Sequence, residues 1–226
     1  MRKVFAIVFL GLFLLAILYF FKTGSMGFTE SLWLAKLGHP GAQFIVGVMY
    51  HEGKEVPQDY KEAMNWYRKS AQQGYSLSQR RIGVLYDKGL GVPRDSKEAF
   101  HWYLKSADQG DAVAQFNVGR MYYTGDGVSK GYQEALKWYL KSAEQGDTYA
   151  QKNLGYFHML GNGTPKDFSR AYMWFSLAGS GRNEADKSAI TEATRNATIL
   201  ARERSPGEIE EGRRLAREWL AAHPQK

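Results

Sequence analysis

The sequence contains no cysteine. That excludes a disulfide framework, a thiolate metal site and a cysteine nucleophile. It leaves the compartment open, because an oxidising space tolerates cysteine-free proteins. Catalytic signatures are also missing. The five histidines, His39, His51, His101, His158 and His223, form no H-x-x-x-H or H-E-x-x-H spacing. No G-x-S-x-G elbow and no S-x-x-K arrangement occurs. The segments "GLG", "GDG" and "GNG" lack the Lys-Ser/Thr of a phosphate loop, and Asp126 lacks the spaced carboxylates of a calcium loop. The chain therefore reads as non-catalytic, with no metal and no cofactor. Concentrated charge is lacking too. The formal net charge is +7, of which Arg2, Lys3 and Lys22 supply three, and from residue 182 onward nine Lys/Arg face eight Asp/Glu. Such diffuse charge argues against nucleic acid, whose binders gather it into a patch.

What is present begins with an unbroken apolar run of 18 residues, Val4 to Phe21. At 1.5 Å per residue it reaches roughly 27 Å, close to the thickness of a bilayer core. Arg2 and Lys3 precede it, so the positive-inside tendency places the rest of the chain across the membrane. A cleaved signal peptide competes with this reading. Bulky Tyr19, Phe20 and Phe21 stand where small residues would help cleavage, which favours an uncleaved anchor over residues 1–25.

The rest repeats itself. "AQFIVGVMY" from Ala42, "SQRRIGVLY" from Ser78, "AQFNVGRMY" from Ala114 and "AQKNLGYFH" from Ala150 start 36 residues apart. In the same frame stand Gly53, Gly89, Gly125 and Gly161, then Ala63, Ala99, Ala135 and Ala171, then Trp66, Trp102, Trp138 and Trp174. Four units start near 41, 77, 113 and 149, after a partial unit over 26–40. A period of this length belongs to helical solenoids. Each unit reads as two helices. Pro40 suits a first helical position, and Asp111 and Asp147 suit N-caps, as do Asp59, Asp95 and Asp167 for the second helix. Glu62 and Glu98, three residues on, predict capping boxes. Gly74, Gly110 and Gly146 suit left-handed C-terminal positions. Ala99, Trp102, Tyr103 and Ala107 form one apolar stripe, in which the alanines admit a neighbouring helix and the Trp fills the space beside them. Gly47, Gly83, Gly119 and Gly155 lie inside the first helix. Each costs about 1 kcal/mol against Ala, so close helix contact is the expected compensation.

The pattern A-x-x-x-L-G-x-x-Y, G-x-G-V-x-x-D, A-x-x-W-Y-x-x-A-A-x-x-G resembles the Sel-one-like repeat family, a relative of tetratricopeptide repeats, over about residues 30 to 182. Ser78 departs from it at the first Ala, Glu55 at the second loop Gly and His158 at the first-helix Tyr. The resemblance implies an all-α fold: a right-handed α-solenoid of helix-turn-helix repeats, here preceded by a single transmembrane helix. Repeats over 26–182 would be closed by a C-terminal helical cap over 183–226. There Ile190, Ala193, Ala197 and Leu200 recur at helical spacing, and "SPGE" from Ser205 forms a start signal with Glu208. Ile209, Gly212, Leu215, Ala216, Trp219 and Leu220 make up its expected buried stripe. "NGT" at Asn162 and "NAT" at Asn196 match the glycosylation pattern, with chance as the default reading.

In tetratricopeptide-like folds the first helix lines a concave face. Positions there that vary between the copies are candidates for recognition, and the resemblance puts Phe44, Val48 and His51; Arg80, Val84 and Lys88; Phe116, Arg120 and Tyr123; and Lys152, Tyr156 and Met159 on that face. Their mixed aromatic, basic and apolar chemistry suits a protein or peptide ligand. The expectation is a scaffold or adaptor at the bacterial inner membrane, facing the periplasm. A cell-wall glycan- or peptide-binding protein is the alternative, and a β-lactam-binding enzyme a more distant one.

Overall fold

Local chemistry sets the helix ends. The computed structural model describes residues 27–181 and 183–223. Among them are eleven α-helices, one 3-10 turn and no strand. The expected anchor, Val4 to Phe21, lies outside the described residues. Among those described, no helix is long and apolar enough to cross a membrane. The described chain forms two compact units that part between Arg94 and Asp95. The first holds α1 (Phe28–Lys36), α2 (Pro40–Glu52), α3 (Tyr60–Gln72) and α4 (Ser76–Lys88). The second holds α5 (Ser96–Ala107), α6 (Ala112–Thr124), α7 (Tyr132–Ala143), α8 (Thr148–Leu160), α9 (Phe168–Gly179), a 3-10 turn (Glu184–Asp186), α10 (Lys187–Glu203) and α11 (Pro206–Ala222).

Asp111 and Asp147 accept from the backbone N–H groups of Ala114 and Ala150, as their spacing predicts. Pro40 opens α2, and His39 supplies its cap through Nδ1. Ser205 and Glu208 complete a reciprocal capping box on α11. The box predicted at Asp59 is one-sided. Asp59 accepts from Lys61 and Glu62 N–H. Its own N–H donates to the Tyr50 carbonyl, and the Glu62 carboxylate accepts from Asn65 instead. Asp95 makes the same two-bond cap to Lys97 and Glu98.

The repeated polar residues tie neighbouring helices together within each unit. Gln43 Nε2 donates to the Ala35 carbonyl, and Gln73 Nε2 donates to Gln43 Oε1. Gln115 and Gln145 repeat that chain onto Ala107. Ser70 and Ser142 hydroxyls donate to the carbonyls of Pro40 and Ala112. Ser78, the departure from Ala, is fully buried and donates to Ser70 Oγ, so its hydroxyl incurs no unpaired-burial penalty. Glu55 stands where later copies carry Gly91, Gly127 and Gly163, and it adopts their left-handed backbone at φ 63°. Such a conformation costs a non-glycine residue roughly 1–2 kcal/mol. Its carboxylate accepts from the Phe28 N–H at the start of α1, 2.7 Å, a favourable place for negative charge.

The second aromatic of the W-Y pair fills the core in every copy, and the tryptophan joins it in the first and the last, where Trp66 and Trp174 are buried. Tyr67, Tyr103, Tyr139 and Phe175 are at most 2% exposed. Tyr67, Tyr139 and Phe175 occupy the space beside mid-helix glycines: a Cβ on Gly47 or Gly119 would fall 2.6 or 2.8 Å from the Tyr67 or Tyr139 ring. Trp102 and Trp138 are only half-buried, with Lys105 and Lys141 ammonium groups 4.6 and 4.0 Å from their ring centroids. Rotating the stripe by one residue toward Tyr is what brings the ring to the glycine.

The C-terminal helices close the second unit on two sides of α9. Ala193 and Leu200 of α10 are buried, while Ile190 and Ala197 are half-buried. On α11, Ile209 and Gly212 are buried and Trp219 meets Trp174 at 4.6 Å. Leu220 departs from the predicted stripe and is exposed. The outer face carries Arg214 paired with Glu211 and Arg217 with Glu210, the polar finish a terminal helix needs.

Candidate functional site

The predicted recognition residues of both units are mostly half-buried; Lys88 and Tyr123 are exposed. In the first unit Phe44 packs on Tyr67 and Tyr75, with ring centroids 6.0 and 5.5 Å apart. His51 meets Tyr60 edge-on at 5.2 Å. Burial, reinforced by the Arg81 charge, holds the His51 imidazole below its ordinary pKa. Tyr67 hydroxyl, His51 Nδ1 and Arg81 Nε are buried without a hydrogen-bond partner. Val48, Arg80 and Val84 are half-buried alongside.

The same positions open into a cavity in the second unit. It has a volume of about 270 Å³ and is lined by Tyr123, Tyr139, Asn153, Tyr156, Phe157, Leu160 and Asn162. The floor is Tyr139 of α7, held in place against Gly119 and only 1% exposed. Its hydroxyl is hydrogen-bonded to Asn153, and burial pushes the phenol pKa up. Tyr123 of α6 and Phe157 of α8 form one wall, 5.5 Å between centroids; Phe157 also stands edge-on to Tyr139 at 5.5 Å.

Tyr156 forms the opposite wall and is fixed by α10. Its hydroxyl donates to Glu192 Oε1 at 2.6 Å and accepts from Asn196 Nδ2 at 2.7 Å. Lys152 binds the same carboxylate at 2.7 Å. The Lys152 and Tyr156 bonds hold Glu192 below the usual carboxylate range. Leu160, 51% exposed, and Asn162 form the mouth. Lys130 lies beside it, 4.8 Å from the Tyr132 centroid.

This lining stacks, packs and hydrogen-bonds. Burial raises the pKa of the Tyr139 and Tyr156 phenols, which moves both further from the range useful for acid–base work near pH 7. Among the described residues no cluster of three or more His, Cys, Asp or Glu could hold a metal ion.

Of the predicted residues, Tyr123 and Tyr156 meet in this cavity. Phe116 backs it, 5.7 Å from Tyr139, and the Arg120 charge acts on the same phenol. Lys152 is committed to Glu192, and Met159 packs on the cluster around Phe175 and Leu200. Sequence reasoning missed Tyr139, Asn153, Phe157 and Asn162. A signal for Asn153 was available: its position reads Ile45, Arg81, Asn117 and Asn153 in the four copies, as variable as those selected. Tyr139 gave none, because its position is aromatic in every copy. Asn196, one of the two glycosylation matches, is engaged with Tyr156.

The Sel1 repeat family matches residues 40–75, 76–111, 112–147 and 148–183. The chain belongs to this family, and its fold is an all-helical repeat of the solenoid class. It is similar to the crystal structure of a Sel1 repeat protein from Oxalobacter formigenes, at 28% identity and a TM-score of 0.71, covering 94% of this chain and 84% of that one. It is also similar to c5321, a protective antigen of uropathogenic Escherichia coli with the same repeat fold. That match has 29% identity and a TM-score of 0.55, over 92% of this chain and 52% of that one. No curated protein matches the chain. Sel1 repeats are in general protein–protein interaction modules and non-catalytic scaffolds.

Proposed function

We propose that this protein is a non-catalytic scaffold that recruits a protein partner at the bacterial inner membrane. The apolar run Val4 to Phe21 is the tether, and the repeats face the periplasm. The partner is engaged by first-helix residues that differ between the copies. The observation that carries this reading is the cavity of the second unit, where Tyr123 and Tyr156 converge on a ready-made concave site. Clefts of this size with a few placed polar groups are where ligands settle. Tethering would raise the effective concentration of the repeats near a membrane-bound partner.

Photoreactive residues at Tyr123 and Leu160, crosslinked in intact cells and followed by mass spectrometry, test the partner. A discrete crosslinked protein, lost with a photoreactive residue on the outer face of α11, is expected; equal labelling from both faces would sink the proposal. Protease added to spheroplasts should degrade the repeats, and a protected domain would refute the periplasmic placement.

A further inference from the structure

Several residues distinguish the cavity of the second unit from the corresponding place in the first, among them Tyr156 against Val84, Leu160 against Lys88 and Asn153 against Arg81. Asn153 occupies the position that Arg81 holds two repeats earlier. Arg81 carries a longer side chain into that position, where its Nε is buried near an unpartnered Tyr67 hydroxyl. The shorter Asn153 side chain is hydrogen-bonded to Tyr139 and lines the cavity of about 270 Å³.

We propose that this cavity is an anchor subsite for one uncharged aromatic or leucine-sized side chain of a partner segment, with the Asn153 and Asn162 amides meeting the main chain beside it. The inference rests on the interaction-module reading above.

Size agrees: an apolar cavity of about 150 Å³ holds benzene, so the volume here receives a benzyl or isobutyl group together with an adjoining peptide unit. Charge agrees as well. None of the seven lining residues is an Asp, Glu, Lys or Arg, and the Tyr139 and Tyr156 phenols are held protonated by burial. A charged side chain would enter without a counter-ion, which is strongly unfavourable away from water. The cations nearby lie outside the lining: Lys152, paired with Glu192; Lys130, drawn to the Tyr132 hydroxyl and ring; and Arg120, whose charge acts on the Tyr139 phenol. An asparagine amide both donates and accepts, which is what an extended main chain requires. Tyr123 and Phe157, tilted at 45°, present ring faces and edges suited to an incoming aromatic. At the mouth Leu160 and Tyr123 leave apolar surface uncovered.

The test titrates three probes into the full chain in detergent: N-acetyl-phenylalanine amide, N-acetyl-aspartic acid amide and N-acetylglucosamine. Binding is read from the NMR shifts of the Asn153 side-chain amide and the Leu160 methyls. The phenylalanine probe should bind saturably and the aspartate probe at least about tenfold more weakly. Asn153→Arg should abolish binding, and Arg81 shows that the repeat frame carries arginine there. Leu160→Ala, at an exposed mouth residue, should weaken binding with the fold intact. Equal binding of the aspartate probe, preference for the sugar, no binding of any probe, or indifference to both substitutions each overturns the proposal. If a crosslinked protein remains bound to the Asn153→Arg chain, the anchor falls and the scaffold reading stands. If the phenylalanine probe binds and no protein is captured, the scaffold reading falls and the subsite stands.

Discussion

A Cβ on Gly155 would lie 2.6 Å from the ring of Phe175. The aromatic of one helix is seated directly on the backbone of its partner, and glycine is the residue that permits it. The same relation joins Gly47 to Tyr67 and Gly119 to Tyr139.

Gly155→Ala should therefore destabilise the protein. Alanine gains about 1 kcal/mol of helix propensity, but overpacking a tight core costs about 1–3 kcal/mol. A net loss of up to about 2 kcal/mol is expected in urea unfolding. Gly207 in α11 meets nothing within 4 Å, so Gly207→Ala should gain roughly 0.5 kcal/mol. Equal effects at both sites would refute the packing argument.

Tyr67 and Tyr139 occupy the same place in different copies with different hydroxyl partners. The Tyr67 hydroxyl is buried and unpartnered, and the Tyr139 hydroxyl is bonded to Asn153. Tyr67→Phe should be neutral or stabilising by up to about 1 kcal/mol, whereas Tyr139→Phe should cost about 1 kcal/mol. Thermal unfolding of the two variants distinguishes them.

Asp147 caps α8 from a largely buried position, and burial raises its carboxyl from 3.8 to about 6. The folded chain then holds a proton that the unfolded chain releases. The stabilisation is fully present below the unfolded value and is lost as the pH rises from about 4 through about 6. It is on the order of 3 kcal/mol at most. Asn is an equally good cap without the proton, so Asp147→Asn should flatten the stability profile across that window. An unchanged slope would count against the assignment.

Glu192 should act in the opposite sense. Its carboxyl is held low by Lys152 and Tyr156, so its contribution is present above 4.5 and is lost as the pH falls through the lower folded value. It is partly exposed, and the ion pair is worth about 1 kcal/mol or less. Glu192→Gln should lower hydrogen-exchange protection in α10 at neutral pH, with little change in α6.

Much of this architecture was legible because helix ends are local. The caps at Asp111, Asp147 and Ser205 each involve a side chain and a backbone group three residues away, and all three stand where their spacing put them. The failures concern contacts between helices. Trp138 and Tyr139 are neighbours on one stripe, and nothing in their spacing says which meets Gly119 in the packed pair. Asp59 looked able to form a full capping box until the Tyr50 carbonyl took its N–H. Asn153 stood one residue away from the selected positions, and only the placement of Tyr139 and Phe157 shows what it faces.

The sequence alone determined the period, the paired helices and the glycines between them, since a repeated apolar stripe at constant spacing leaves few other ways to be shielded from water. Tertiary structure alone decided which ring fills each gap, which polar groups are paired, and where a missing volume becomes a cavity. Those outcomes depend on side chains from three helices meeting at one point. Side-chain length at one such point differs by a few ångströms between copies, as arginine at position 81 and asparagine at position 153 show.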